Sequence, residues 1–243
     1  MIFTIAAYNA HWGIGRFGAQ RGVRFDVAHV IRGFDADIVV VPEAWRADDG
    51  PSVVDPLADE YHIETVELMP LAMRKDWRSD LVPRQGWWEL AVCSRFPILE
   101  HSTIPIGVIP TDPAGPRNAL AVLLDVGGTR VQVIAIHTSS KVWKLASARH
   151  LLTLRRALQA SPWSGPQIIA GDFNFWGPPV AMILPGWQRP VRGRTYTSRR
   201  PHSQIDHILV RGGIEPLSGE VLAPTPSDHL PIRARLRLSD QVT

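Results

Sequence analysis

The chain has 243 residues, 45% of them hydrophobic and 20% charged, a balance that excludes the disordered and fibrous classes. Its formal charge is only +3, from 26 basic and 23 acidic residues, so the sequence pI of about 9.4 reports a mild arginine excess and not a nucleic-acid-binding tail. A single cysteine, Cys93, excludes an internal disulfide, and its setting in LAVCS suits small core filler.

In chain order, short runs rich in Val, Ile and Leu predict strands at 2–8, 37–42, 89–94, 118–126, 130–137, 167–171, 204–210 and 231–238. The opening MIFTIAAYNAHWG has no basic segment ahead of an apolar stretch too short for a signal peptide or a membrane span, so a cytoplasmic location is expected. Residues 25–34 place Phe25, Ala28, Val30 and Ile31 on one helical face, and 144–160 does the same with Leu145, Ala148, Leu151, Leu152, Arg155 and Leu158. A third helix is expected near 53–61. Gly127-Gly128 between two strand patterns signals a tight hairpin, so antiparallel pairing accompanies the strand–helix–strand connections. Neither a repeat nor a flexible linker divides the chain, and its prolines fall largely in connections. The expectation is one domain over residues 1–243: an α/β fold in four layers, with two packed mixed β-sheets flanked by helices.

The ends of the predicted strands carry polar side chains. IAAYN delivers Asn9, VVVPE Glu43, VIAIH His137, IIAGDFN Asp172 and Asn174, SQID Asp206, and PSDHLPI Asp228 and His229. Each has an ordinary structural explanation: Asp and Asn close turns, Glu and Ser cap helices, and a histidine satisfies itself in a core. Their convergence at one end of a sandwich has a chemical one. Hard oxygen ligands without a cysteine cluster select Mg²⁺, with Mn²⁺ as a substitute, and Mg²⁺ binds through one or two carboxylates together with a substrate phosphate. Histidines then supply proton transfer and charge stabilisation.

The ordered set YNAHWG, VVPEAW, AVCSRFPI, AIHTS, GDFNF, IDHIL and SDHLPI, running from Ile5 to Ile232, resembles the endonuclease/exonuclease/phosphatase superfamily. That superfamily includes DNase I-like nucleases, abasic-site endonucleases, inositol polyphosphate phosphatases and neutral sphingomyelinases. The resemblance implies that Glu43 is the principal metal ligand, with Asn9 beside it and Asp228 near the ion. It implies that Asp172 orients or deprotonates water, that Asn174 holds the scissile phosphate, and that His137 is a second phosphate-binding histidine. His229 contacts the phosphate or acts as base, and Asp206 hydrogen-bonds His229; the general base is left open. His11 stands where some members carry an acid, which puts any role there in doubt. Glu89 is a candidate partner of His137, and Arg117 a candidate phosphate contact.

Three functions follow. The first is a Mg²⁺-dependent phosphoesterase that hydrolyses a phosphodiester by in-line water attack, with nucleic acid the favoured substrate. The second is a phosphatase or phospholipase-type enzyme acting on an inositol phosphate or a lipid headgroup. The third is a catalytically silent binding module, which the full set of competent residues disfavours. The partner is therefore nucleic acid or a small phosphorylated substrate, and no obligate protein partner is evident. Trp12, Trp45, Trp143 and Trp176 follow the candidate site segments and are expected to ring the mouth, with Trp176 a stacking platform for a base. Beside them, Arg189, Arg192, Arg194, Arg199 and Arg200 form an acid-free basic stretch, and Lys141 and Lys144 flank Trp143.

Overall fold

A computed structural model describes residues 1–71, 85–112, 114–140 and 145–239. The predictions for Lys141, Trp143 and Lys144 lie outside the described residues. Eleven strands are present among the described residues. They are β1 (Ile2–Ala7), β2 (Ile38–Ala47), β3 (His62–Pro70), β4 (Gly86–Ser94), β5 (Ile98–Val108), β6 (Pro116–Val126), β7 (Thr129–His137), β8 (Gln167–Asp172), β9 (Asp206–Arg211), β10 (Ile214–Val221) and β11 (Ile232–Leu238). One sheet has six strands in the order β10-β11-β1-β2-β4-β3, and the other five in the order β5-β6-β7-β8-β9. Both are mixed, with β1 and β2 parallel in the first, β7 and β8 parallel in the second, and antiparallel neighbours elsewhere.

Period-two alternation builds the layers. Phe3, Ile5, Ile38, Val40, Leu90 and Val92 of one sheet meet Leu120, Val122, Val131, Val133, Ile168 and Ala170 of the other in a shared core. The opposite faces are covered by helices α1 (Val27–Arg32) on the six-stranded sheet and α2 (Leu145–Ala160) with α3 (Gly177–Ile183) on the five-stranded one. The four-layer α/β sandwich expected from the sequence is the fold. Cys93 fills the core beneath α1, where burial pushes its thiol up to about 12. No described helix is long and apolar enough to cross a membrane.

Three strands that the sequence did not predict, β3, β5 and β10, are all sheet edges. Their residues are half-buried or exposed almost throughout, and β5 and β10 contain Pro105 and Pro216 at register shifts, the positions where a sheet tolerates proline. The helix expected near 53–61 is only a 3₁₀ turn at Asp55–Leu57. In α2 the buried face is rotated from the predicted one: Leu145 and Leu152 are exposed, whereas Ser147, His150, Leu151, Leu154 and Leu158 are buried. The hairpin is as expected. Gly127 and Gly128 both adopt positive φ between paired Val126 and Thr129, as the primed turn of a two-residue loop requires.

A second glycine positions the site. Gly171 has φ of +133°, and a Cβ there would lie 2.1 Å from the Ile136 carbonyl oxygen on the parallel neighbour β7. The strand can therefore reach Asp172 in register with His137 only if the preceding residue has no side chain. Gly171→Ala is expected to destabilise the protein by more than about 1 kcal/mol, read as a lowered denaturation midpoint in urea. An unchanged midpoint would show that β7 and β8 can separate at no cost.

Candidate active site

The rows of core side chains explain why acids and amides end apolar strands. Ile168 and Ala170 face the inter-sheet core, so Asp172 continues the same row past its end; Val133 and Ala135 lead likewise to His137, Ile5 and Ala7 to Asn9, and Val210 and Ile208 to Asp206. His137, Asp172 and Asp206 are direct register partners across β7, β8 and β9. Glu43 lies out of phase with Ile38 and Val40. A bulge between Val41 and Ala44, with Glu43 at φ 55°, turns it toward the others.

The side chains meet within hydrogen-bonding reach. The Asn9 Nδ2 donates to Glu43 Oε1 at 3.1 Å and to Asp172 Oδ2 at 3.2 Å, while its Oδ1 accepts from the His11 backbone N–H. Asp172 Oδ1 accepts the Asn174 backbone N–H at 2.7 Å, and Asn174 itself has a positive φ of 44°. The Asn174 amide points to His137 Nε2 at 3.3 Å and donates to the Thr138 carbonyl at 3.0 Å. His229 Nδ1 lies 2.9 and 3.1 Å from the two Asp206 oxygens, which leaves Nε2 facing Asp172 Oδ2 at 3.8 Å. A carboxylate behind an imidazole fixes its tautomer and raises its basicity.

Burial shifts the titration of Glu43, Asp172, His229 and His137. It pushes Glu43 up to about 8 against the pull of His229 and Asn9, and it raises Asp172, with Asp206 adding to the rise. Burial opposes a charge on His229, yet Asp206 and Asp172 outweigh it and hold the imidazole at about 10. His137 goes the other way: burial, with Arg117 and His229 nearby, drives it well below the usual histidine range, so it is neutral. Its Nδ1 has no partner among the described residues.

By donor chemistry these groups could hold a divalent cation. Glu43, His137 and Asp172 each present a ligand atom within 4.8 Å of the others, and so do Asp172, Asp206 and His229. Glu43, half-buried, and Asp172, buried, have pKa values that burial has raised, so a bound divalent ion would restore their charged forms, and their oxygens suit Mg²⁺ or Mn²⁺. Asn9 holds the two acids together, and turning its amide over would present Oδ1 to an ion. Asp228 lines the same cleft but is engaged by Arg16 at 3.9 Å.

The cleft, of about 320 Å³, is lined by Glu43, His137, Asp172, Asn174, Asp228 and His229 together with residues that the strand-end pattern did not signal. Trp88 presents its ring 5.0 Å from His137, and Tyr196 lies 4.9 Å from His229. Trp88 had a readable signal, since it shares the inward row of Leu90 and Val92; Tyr196, in an irregular loop, had none. Ser227, inside the SDHLPI motif, ties that motif to the end of β1 by donating from Oγ to the Asn9 carbonyl at 2.7 Å. His11 also lines the cleft, with Nδ1 2.7 Å from the Ile14 carbonyl.

Several predicted contacts fall elsewhere. Glu89 does not meet His137; it is buried against Arg46 at 2.8 Å and Ser52 at 2.7 Å. The reason is phase, because Glu89 alternates away from the row of Trp88 and Leu90. Trp45 is fully buried, donating to the Leu71 carbonyl, whereas Trp12 lines the cleft. Trp176 is half-exposed at the start of α3, beyond the residues that line the cleft. Arg117 is buried, paired with Asp112 at 2.9 Å and stacked over Trp88 at 4.7 Å; it lines the cleft with Nη1 unpartnered among the described residues.

The same architecture recurs in known structures. An endonuclease/exonuclease/phosphatase from Beutenbergia cavernae shares 24% identity at a TM-score of 0.75 over 98% of this chain and 72% of that one. A functionally unknown conserved protein from Enterococcus faecalis shares 19% at 0.70, over 97% and 100%. D. rerio TDP2 complexed with single strand DNA product shares 16% at 0.65, over 97% and 99%. No curated protein matches the sequence. The model of the Endonuclease/Exonuclease/phosphatase family matches residues 6–229, from the strand that delivers Asn9 to His229 itself, and the chain belongs to that family.

Proposed function

We propose that the protein is a divalent-metal-dependent phosphodiesterase acting on nucleic acid. The observation that carries this reading is the meeting of Asn9, Glu43, His137, Asp172, Asn174 and the His229–Asp206 pair at one mouth between the two sheets. Fold likeness alone would allow many activities; these residues in this contact pattern narrow it to phosphoryl chemistry.

Glu43, with Asn9 beside it, is the group to hold Mg²⁺, which when bound would neutralise charge on the phosphoryl oxygens. The other roles belong to the chain. A His229 kept positive by Asp206 meets negative charge on the phosphoryl group, which leaves Asp172, oriented by the Asn174 N–H, to accept the proton of the attacking water. The Asn174 amide and the neutral His137 border the place of the scissile phosphate, and the unpartnered Nη1 of Arg117 is a donor toward its oxygens. Trp176 is kept in this reading as an outer stacking face for a strand leaving the cleft. The DNA product held by the D. rerio neighbour is a precedent for this substrate class on the fold. The cytoplasm is the compartment assigned, where the lone Cys93 stays reduced.

The test is a panel of single-stranded DNA, duplex DNA, RNA, inositol phosphates and sphingomyelin. Cleavage of a nucleic-acid diester, stopped by EDTA and restored by Mg²⁺ or Mn²⁺, is the expected outcome. Turnover confined to an inositol phosphate or a lipid headgroup would transfer the site to the phosphatase or phospholipase reading, and full activity under EDTA would remove the metal from it.

A further inference from the structure

The basic stretch at 189–202 is divided by the fold. Arg189 packs against Gly177, where a Cβ would meet its guanidinium at 2.6 Å. Arg199 instead joins Arg16 and Arg21, which come from the other end of the chain, around Phe17 and Gly18 in a groove of about 440 Å³. A second groove of about 520 Å³ continues from it through the shared Phe17 and Arg199 toward Thr225. Among the described residues no acid lines either groove.

The grooves begin at the wall of the cleft. The Arg16 side chain, about half-exposed, reaches Asp228 at 3.9 Å, and its backbone N–H bonds the Pro226 carbonyl at 2.9 Å. Ser198, next to Arg199, donates its N–H to the Asp228 carbonyl at 2.7 Å. Asp228 itself lines the cleft. Three exposed arginines therefore lead away from the reaction centre in a continuous path, with one half-buried aromatic ring among them.

We propose that this groove is the track for the backbone of a single nucleic-acid strand whose scissile phosphate occupies the cleft. The proposal rests on the phosphodiesterase reading and extends it to substrate length: the groove engages phosphates beyond the one that reacts. The chemistry favours this occupant. Guanidinium forks match successive phosphates, the half-buried Phe17 ring offers an aromatic contact to an unpaired base, and the path is extended and, among the described residues, acid-free, where one headgroup would need only a single pocket. A duplex would keep its bases from Phe17.

The experiment compares wild type with the double variant Arg21→Glu/Arg199→Glu, leaving Arg16 in place because it contacts Asp228. The ratio of kcat/KM for a single-stranded oligonucleotide to that for bis(p-nitrophenyl) phosphate is expected to fall at least tenfold. Binding of a fluorescein-labelled oligothymidylate, followed by anisotropy in EDTA, is expected to lose salt sensitivity, the log–log slope becoming shallower by about 1.4 for two lost phosphate contacts on a single strand. An unchanged ratio and slope with both substrates still cleaved would overturn the groove and leave the diesterase reading standing. If wild type cleaves neither substrate, that reading fails, and the anisotropy arm still decides the groove. Equal binding of a duplex, or of phosphatidylcholine vesicles containing phosphatidylserine, would also overturn it.

Discussion

His229→Ala is expected to lower kcat for phosphodiester hydrolysis at least ~100-fold, the range in which a positioned acid–base or charge-stabilising side chain contributes. The imidazole lies between Asp206, at 2.9 Å, and the Asp172 oxygen, at 3.8 Å. Removing it deletes the positive charge facing the phosphoryl group and strands two buried carboxylates, and breaking such a pair typically costs about 3–5 kcal/mol of stability. Activity must therefore be read on folded protein, with circular dichroism and a melting curve alongside. His229→Ala/Asp206→Asn supplies the control, because it takes away one of the stranded charges and is expected to regain stability without regaining turnover. If the double variant were as active as wild type, the assignment of His229 to the reaction would fail.

Glu43→Gln keeps the shape of the side chain and removes its charge. Metal-ion charge stabilisation is worth several kcal/mol, and each ~1.4 kcal/mol is tenfold in rate, so a loss of at least ~100-fold is expected. The distinguishing readout is independent of turnover. Mg²⁺ or Mn²⁺ should raise the melting temperature of wild type, as any ligand that binds only the folded state does, and should have a much smaller effect on the variant. Stability without metal should hold or rise, since a buried carboxylate pushed up to about 8 is a burden to the folded protein at neutral pH once ionised. Equal metal-induced shifts in the two proteins would place the ion elsewhere than Glu43.

Much of this site was legible in the sequence, and the alternation of the central strands is the reason. A period-two row that is apolar through Ile168 and Ala170 can place Asp172 only beyond the rim of the same core, and the rows ending in Asn9, His137 and Asp206 obey the same rule. Central strands are buried on both faces, so their hydrophobic runs are unmistakable, and the two-residue Gly127-Gly128 turn follows from φ requirements alone. The polar strand ends, their order and the family they resemble were therefore fixed by local chemistry.

The tertiary structure decided what local chemistry leaves free. Edge strands β3, β5 and β10 bury too little to impose a pattern, and two of them absorb proline at bulges. Glu43 enters the cluster through a bulge that cancels its phase, and Glu89 leaves it because no such bulge corrects its own. The indole of Trp45 went to a small core, while Trp88 took the place at the cleft that the sequence had reserved for others. Arg16 and Arg199 share a groove although they lie near opposite ends of the chain. Long-range pairing sets such neighbours, and no window of sequence contains both partners; the contacts around the strand-end cluster, unlike its members, had to await the packed sheets.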